Sequence, residues 1–109
     1  MPTAYKVLGQ VAPSATTATT LDTVPSATQA VVSTITVCNR AATAATFRIA
    51  VRPAGATLAN EHYIAFDSAI AANSTIALTI GITLAATDVI TVYGSTANLS
   101  FNAFGSEIS

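Results

Sequence analysis

The sequence predicts an all-β fold: an antiparallel β-sandwich, jelly-roll or Ig-like, of seven to eight short strands. Three observations predict it. Apolar residues recur with period two in several runs, and successive strand side chains point to opposite faces. No segment sustains a 3.6-residue period over a helix length, although the chain is rich in alanine. Turn signals recur at intervals of roughly 8 to 15 residues, which suits a sandwich or barrel and not a βαβ fold.

The clearest stretch is Ala30 to Pro53. In its first run Val31, Ser33, Ile35 and Val37 fall on one face, and Val32, Thr34, Thr36 and Cys38 on the other. In its second run Phe47, Ile49 and Val51 oppose Thr46, Arg48, Ala50 and Arg52. β-Branched residues dominate both, and they fit a pleated surface. The connector between them, roughly six residues long, allows an antiparallel hairpin.

The other elements follow in order. Ala4 to Gln10 reads as a first strand, with Tyr5 and Val7 opposite Lys6 and Leu8. Val11 to Thr20 has no apolar period and reads as an extended arm, where Pro13 removes a ladder donor. Leu21 to Val24 is a short strand, cut off by Pro25, and Pro25 to Thr28 is a turn. Ala54 to Ala56 is a turn, and Leu58 to Glu61 has room for one helical turn. His62 to Asp67 is a strand, and Ser74 to Ile82 is another, alternating Ile76, Leu78, Ile80 and Ile82 with Thr75, Ala77, Thr79 and Gly81. Ala85 to Asp88 and Ser95 to Asn98 are turns around a strand at Val89 to Gly94. Leu99 to Phe104 is the last strand. The expected core is Val31, Ile35, Val37, Phe47, Ile49, Val51, Ile76, Leu78, Ile80, Ile90, Val92, Leu99 and Phe101.

At 109 residues the chain suits one domain, read as an N-terminal strand and arm over 1–20 followed by the sandwich over 21–109. Only 8% of residues are charged and the net charge is −1, against about 25% charged in ordinary soluble domains. Thr, Ser, Asn and Ala must cover the surface instead, which suits burial against other subunits. High hydropathy with periodic apolar positions excludes disorder. No apolar run is long enough to span a membrane as a helix. The opening MPTAYKVLGQ lacks the order of a secretory leader, so none is expected there. A single cysteine, Cys38, excludes an internal disulfide framework and fits a reducing compartment.

Groups that titrate or attack are few. His62 is the lone histidine, and its neighbour Glu61 points to the opposite strand face, so a surface or rim role is expected. Asp67 and Asp88 stand at strand ends, where Asp usually bonds local backbone amides. Cys38 has no histidine partner on its strand and reads as a packed thiol. No spacing suits a metal site or a phosphate loop. The basic residues are Lys6, Arg40, Arg48 and Arg52, too few for a nucleic-acid surface. Arg48 and Arg52 share a strand face and are expected to pair with Glu61, Asp67 or an acidic neighbouring subunit. The sequons at Asn73 and Asn98 are expected by chance in so Ser/Thr-rich a chain.

Four stretches carry a resemblance. They are YKVLGQVAPSATTATTLDTVPSATQAVVSTITVCNRAATAATFRIAVRPAG, LANEHYIAFD, TIALTIGITLAATDVITVYGSTANLSF and NAFGSEIS. Together they resemble small virion structural proteins of tailed bacteriophages, cyanophages especially. The resemblance implies an all-β structural component of the particle, on the head, neck or tail, with no catalytic motif. One departure is Asp22 in LDTV, where the resemblance implies an aromatic.

The leading expectation is a non-enzymatic capsid cement or decoration protein, without cofactor. It is assembled in the host cytoplasm and located in the virion. Its expected partners are itself, as a homotrimer or another symmetric oligomer, and the major capsid protein or other virion proteins, with no nucleic acid and no membrane. A tail, baseplate or neck component is the first alternative. A host-adhesion module binding a glycan or protein is the second, with Tyr63, Tyr93 and Phe104 as the aromatics available to it. Contacts are expected on the arm from Tyr5 to Thr17, including Lys6, Val7 and Pro13, and on Arg48 and Arg52.

Overall fold

The period-two runs become strands, one of them split in two, in the computed structural model, which describes residues 3–109. The strands are β1 (Thr3–Val11), β2 (Thr19–Thr23), β3 (Gln29–Asn39), β4 (Ala45–Arg52), β5 (Tyr63–Ile70), β6 (Thr75–Leu78), β7 (Ile82–Leu84), β8 (Val89–Gly94) and β9 (Leu99–Ile108). Two single 3₁₀ turns, Pro53–Gly55 and Asn60–His62, link β4 to β5. The first sheet has the order β1-β9-β3-β6, with β7 also pairing β3; the second has the order β2-β8-β4-β5. Every pairing is antiparallel.

The pairings nest. β1 pairs β9, β2 pairs β8, β3 pairs β6 and β7, and β4 pairs β5. With β6 and β7 as two halves of one strand, the first strand pairs the last, the second the next to last, and so on inward. A long antiparallel ribbon rolled into two facing sheets gives this order, which is the jelly-roll arrangement rather than the Ig-like one.

The core lies between the sheets. Ile35, Val37, Leu99 and Phe101 come from the first sheet, Phe47, Ile49, Ile90 and Val92 from the second, and each is at most 2% exposed. The Phe47 and Phe101 rings meet edge to face across the gap, with centroids 6.3 Å apart. Val51, Ile76 and Leu78 pack against this cluster while remaining partly exposed. Leu8, Leu21, Ile70 and Leu84 join the core beyond the residues expected there.

Four expectations are corrected. First, β3 and β4 do not form a hairpin; they lie in opposite sheets. Alternation gives each strand a buried face but does not name its neighbour. The connector arches across the core, and Asn39, 1% exposed, braces it. The Asn39 Nδ2 donates to the carbonyls of Thr43 (2.8 Å) and Ala71 (3.2 Å), and its Oδ1 accepts from the Ala41 amide (3.0 Å).

Second, Val31 is 38% exposed, while Val32 and Ala30 are buried. The ladder from β3 to β9 shifts register between Val32 and Thr34, so Ser33 is an extra residue. A bulge inverts the phase of alternation, so Val31 and Ile35 face opposite ways. β1 shifts against β9 between Val7 and Gly9, at the same level. Gly105 lies there, and a Cβ on it would overlap the Val31 carbonyl.

Third, Ser74 to Ile82 is not one strand. It breaks between β6 and β7, and Gly81 adopts φ +62° in the gap. Fourth, Ile80 therefore leaves the core and is 53% exposed. In the N-terminal segment β1 pairs β9, as the strand expected over Ala4 to Gln10 requires, and residues 12–18, with Pro13 buried, connect it to β2.

Candidate interaction surfaces

The second sheet turns an arginine outward. Phe47 and Ile49 fill the core, so alternation along β4 sends Arg48 to solvent, opposite Tyr93 of β8. On the other flank Phe47 pairs Ser68 and Ile49 pairs Ala65, so Phe66 and Asp67 together face Arg48 alone. This bulge swings both side chains onto the guanidinium. The Arg48 Nε donates to Asp67 Oδ1 at 2.7 Å and Nη2 donates to Oδ2 at 3.3 Å. The guanidinium carbon lies 4.2 Å from the Phe66 ring centre and 4.3 Å from that of Tyr93. The hydrogen bond to Asp67 raises the Arg48 pKa further above its ordinary value.

Asp67 itself adopts φ +50°, a left-handed conformation that Asp tolerates better than most residues. Beyond it, the Tyr63 and Phe66 rings pack edge to face at 4.9 Å. Phe66 is 55% exposed. Asn60, Tyr63 and Phe66 line an apolar cleft of about 250 Å³. The segment that carries Asn60 is fixed by two local devices. Arg52 donates to Thr91 Oγ1 (3.0 Å) and to the Ala56 carbonyl (3.1 Å), and the His62 Nδ1 accepts from the Ala59 amide (3.0 Å).

The first sheet has a different outer face. Its strands contain only two charged residues, Lys6 and Glu107. Neither belongs to that face, because Glu107 pairs with the buried Ala30 and bonds Lys6 at 2.9 Å. The outer face is a grid of uncharged side chains. One row runs Tyr5, Ser106, Val31, Thr83, and the next brings Val7 beside Phe104 and Thr34. A third brings Gln10, Asn102, Thr36 and Ala77 together. Tyr5 is 87% exposed. Cys38, a free thiol, lies between Ser100 and Thr75.

Where the sheets meet at β1, β2 and β9, Asp22 is buried against the Lys6–Glu107 pair and its Oδ2 has no hydrogen-bond partner. Burial, and then the Glu107 charge, raise the Asp22 pKa above the ordinary carboxylate value, against the pull of Lys6 and the Thr23 amide.

The expected contact residues thus separate. Tyr5 and Val7 are exposed on the first sheet, Lys6 is paired with Glu107, and Pro13 is buried. Arg48 takes Asp67, one of its three expected partners, and Arg52 instead takes a hydroxyl and a carbonyl. Asp88 bonds the amides of Ala54 and Ala85, as expected for a strand-end Asp, whereas Asp67 does not act on backbone amides. Phe66 carries no signal in the sequence, because its place beside Arg48 depends on a bulge that alternation does not encode. Among the described residues no group of three His, Cys, Asp or Glu is placed to hold a metal ion, and no helix is long and apolar enough to cross a membrane. Comparison with protein-family models, curated proteins and solved structures finds no match.

Proposed function

We propose that this chain is a structural protein of a phage particle, a decoration protein that binds the capsid lattice through protein contacts. The observation that carries the reading is the charge-free outer face of the first sheet, with Tyr5, Val7 and Val31 exposed on it. A surface left free of charge is suited to being covered, and a partner that binds only the folded state adds stability by mass action. The jelly roll adds support by analogy alone, since viral capsid domains use it and so do lectins. The test is to count the chain in purified virions by quantitative mass spectrometry and to locate it by electron microscopy. On the order of hundreds of copies over the head supports decoration by lattice symmetry. A dozen or two at one vertex would move it to the tail or neck, and absence from particles would end the proposal.

A host-adhesion role is the second reading, favoured by the cleft at Asn60, Tyr63 and Phe66. An exposed ring beside an amide and a phenol is the chemistry that stacks on and bonds a neutral sugar. Titration with neutral oligosaccharides, followed by Tyr fluorescence, tests it. No change at millimolar sugar would remove this reading.

A further inference from the structure

We infer that the outer face of the first sheet is the face by which two copies of this chain pair, sheet against sheet, about a two-fold axis. The inference rests on the same uncharged face that carries the proposed function, and it gives that face one occupant, a second copy of this chain. Charge is the first argument. In a two-fold contact a residue near the axis meets its own symmetry mate, and a residue away from it meets a different residue of the partner. A charge near the axis would meet like charge, at a cost of several kcal/mol. Here both charges of the sheet, Lys6 and Glu107, are paired to each other and lie off the face. The net charge of −1 adds little repulsion at long range.

Size is the second argument. The sheet is four strands wide, counting β6 and β7 end to end, and its inner strands β3 and β9 have 11 and 10 residues. Strand spacings of about 4.8 Å and a rise of about 3.3 Å per residue then give on the order of 600 Å² per copy. A pair hides about 1,200 Å², the lower bound of specific, stable interfaces.

Side-chain chemistry is the third. Val31, Val7, Phe104 and Tyr5 form the apolar centre and one flank, with Thr36 and Thr83 beside them. Such rows interdigitate when sheets stack about 10 Å apart. The second sheet is less suited to the same contact, because stacking a copy on it would strip water from the Arg48–Asp67 pair that its outer face carries.

Sedimentation equilibrium on the full chain, from about 1 to about 100 μM, tests the pairing. The expected mass at the upper end is twice 11.0 kDa. Thr83→Glu places like charges on the contact and is expected to weaken association about tenfold or more. Thr20→Glu makes the same change on an exposed strand position of the second sheet and is expected to leave association unchanged. Val31→Lys is a second disrupting variant, and mixing it with Val31→Glu is expected to restore a heterodimer. A single-chain mass at every concentration, a trimer or larger species, or equal effects of Thr83→Glu and Thr20→Glu would each overturn the inference. A pair in solution with no copies in virions would overturn the proposed function and leave the pairing standing.

Discussion

The two outer faces of this sandwich are built on one core yet solve the exposure of apolar side chains in opposite ways. On the second sheet the exposed Phe66 and the half-buried Tyr93 lie beside a cation, and Arg48 with Asp67 fixes them in place. On the first sheet Tyr5, Val7 and Val31 stand among hydroxyls and amides with no charge nearby. The difference teaches where each face is satisfied. The arginine face completes its contacts within one chain, whereas the uncharged face leaves its apolar area without a partner in the chain. That asymmetry is why pairing is assigned to the first face.

The largest effect should remove both faces together. Phe47→Ala empties the ring that joins the sheets, and is expected to cost about 3–5 kcal/mol, read from the denaturant midpoint. Retention of full stability would mean that the two faces do not share one core.

Gly105→Ala should act on the first face. Its Cβ would overlap the Val31 carbonyl, so the bulge beside Ser33 must shift. A loss of about 2 kcal/mol or more is expected, with hydrogen exchange accelerated in β3 and β9 before β4 and β5. Equal acceleration in both sheets would show that the faces do not loosen separately.

Asp22→Asn should stabilise. The folded pKa of Asp22 lies above its unfolded value. Its contribution is therefore fully present below the ordinary carboxylate value and is lost as pH rises through the raised one. Where the carboxylate is ionised, its buried Oδ2 without a hydrogen-bond partner costs stability, and Asn is expected to recover about 1 kcal/mol. Thermal melts of both proteins across pH 4 to 8 are expected to converge in acid and diverge towards neutrality. A gap that does not change with pH would place the effect elsewhere.

The smallest effect on stability is expected at Arg48. Exposed ion pairs contribute little, so Arg48→Ala should leave the melting temperature nearly unchanged. The near-ultraviolet circular dichroism of Tyr63 and Tyr93 should weaken, because the stack that orients Phe66 and Tyr93 is gone. A retained signal would mean the aromatic face does not depend on the cation.

Much of the sandwich was legible because period two is a statement about faces. Phe47, Ile49, Ile90, Val92, Leu99 and Phe101 are all buried where alternation placed them. The errors arise where the pattern says nothing about pairing or phase. β3 and β4 look like a hairpin because both are strong strands joined by a short link, but the link crosses between sheets over Asn39. Alternation carried unbroken through Ser33 puts Val31 inside, but a bulge there shifts the phase by one. The candidate sites show the same division. Arg48 was legible as an outward cation with Asp67 among its partners, whereas the Phe66 platform required the bulge of β5.

The sequence by itself determined strands over helices, one shared core and a surface poor in charge, because side-chain chemistry and a two-residue repeat are local properties of the chain. Only the tertiary structure decided which strands are neighbours, where the bulges reverse the alternation, and that the charges gather away from one outer face. Those outcomes depend on contacts between residues distant in sequence, such as Tyr5 with Ser106 and Arg48 with Asp67.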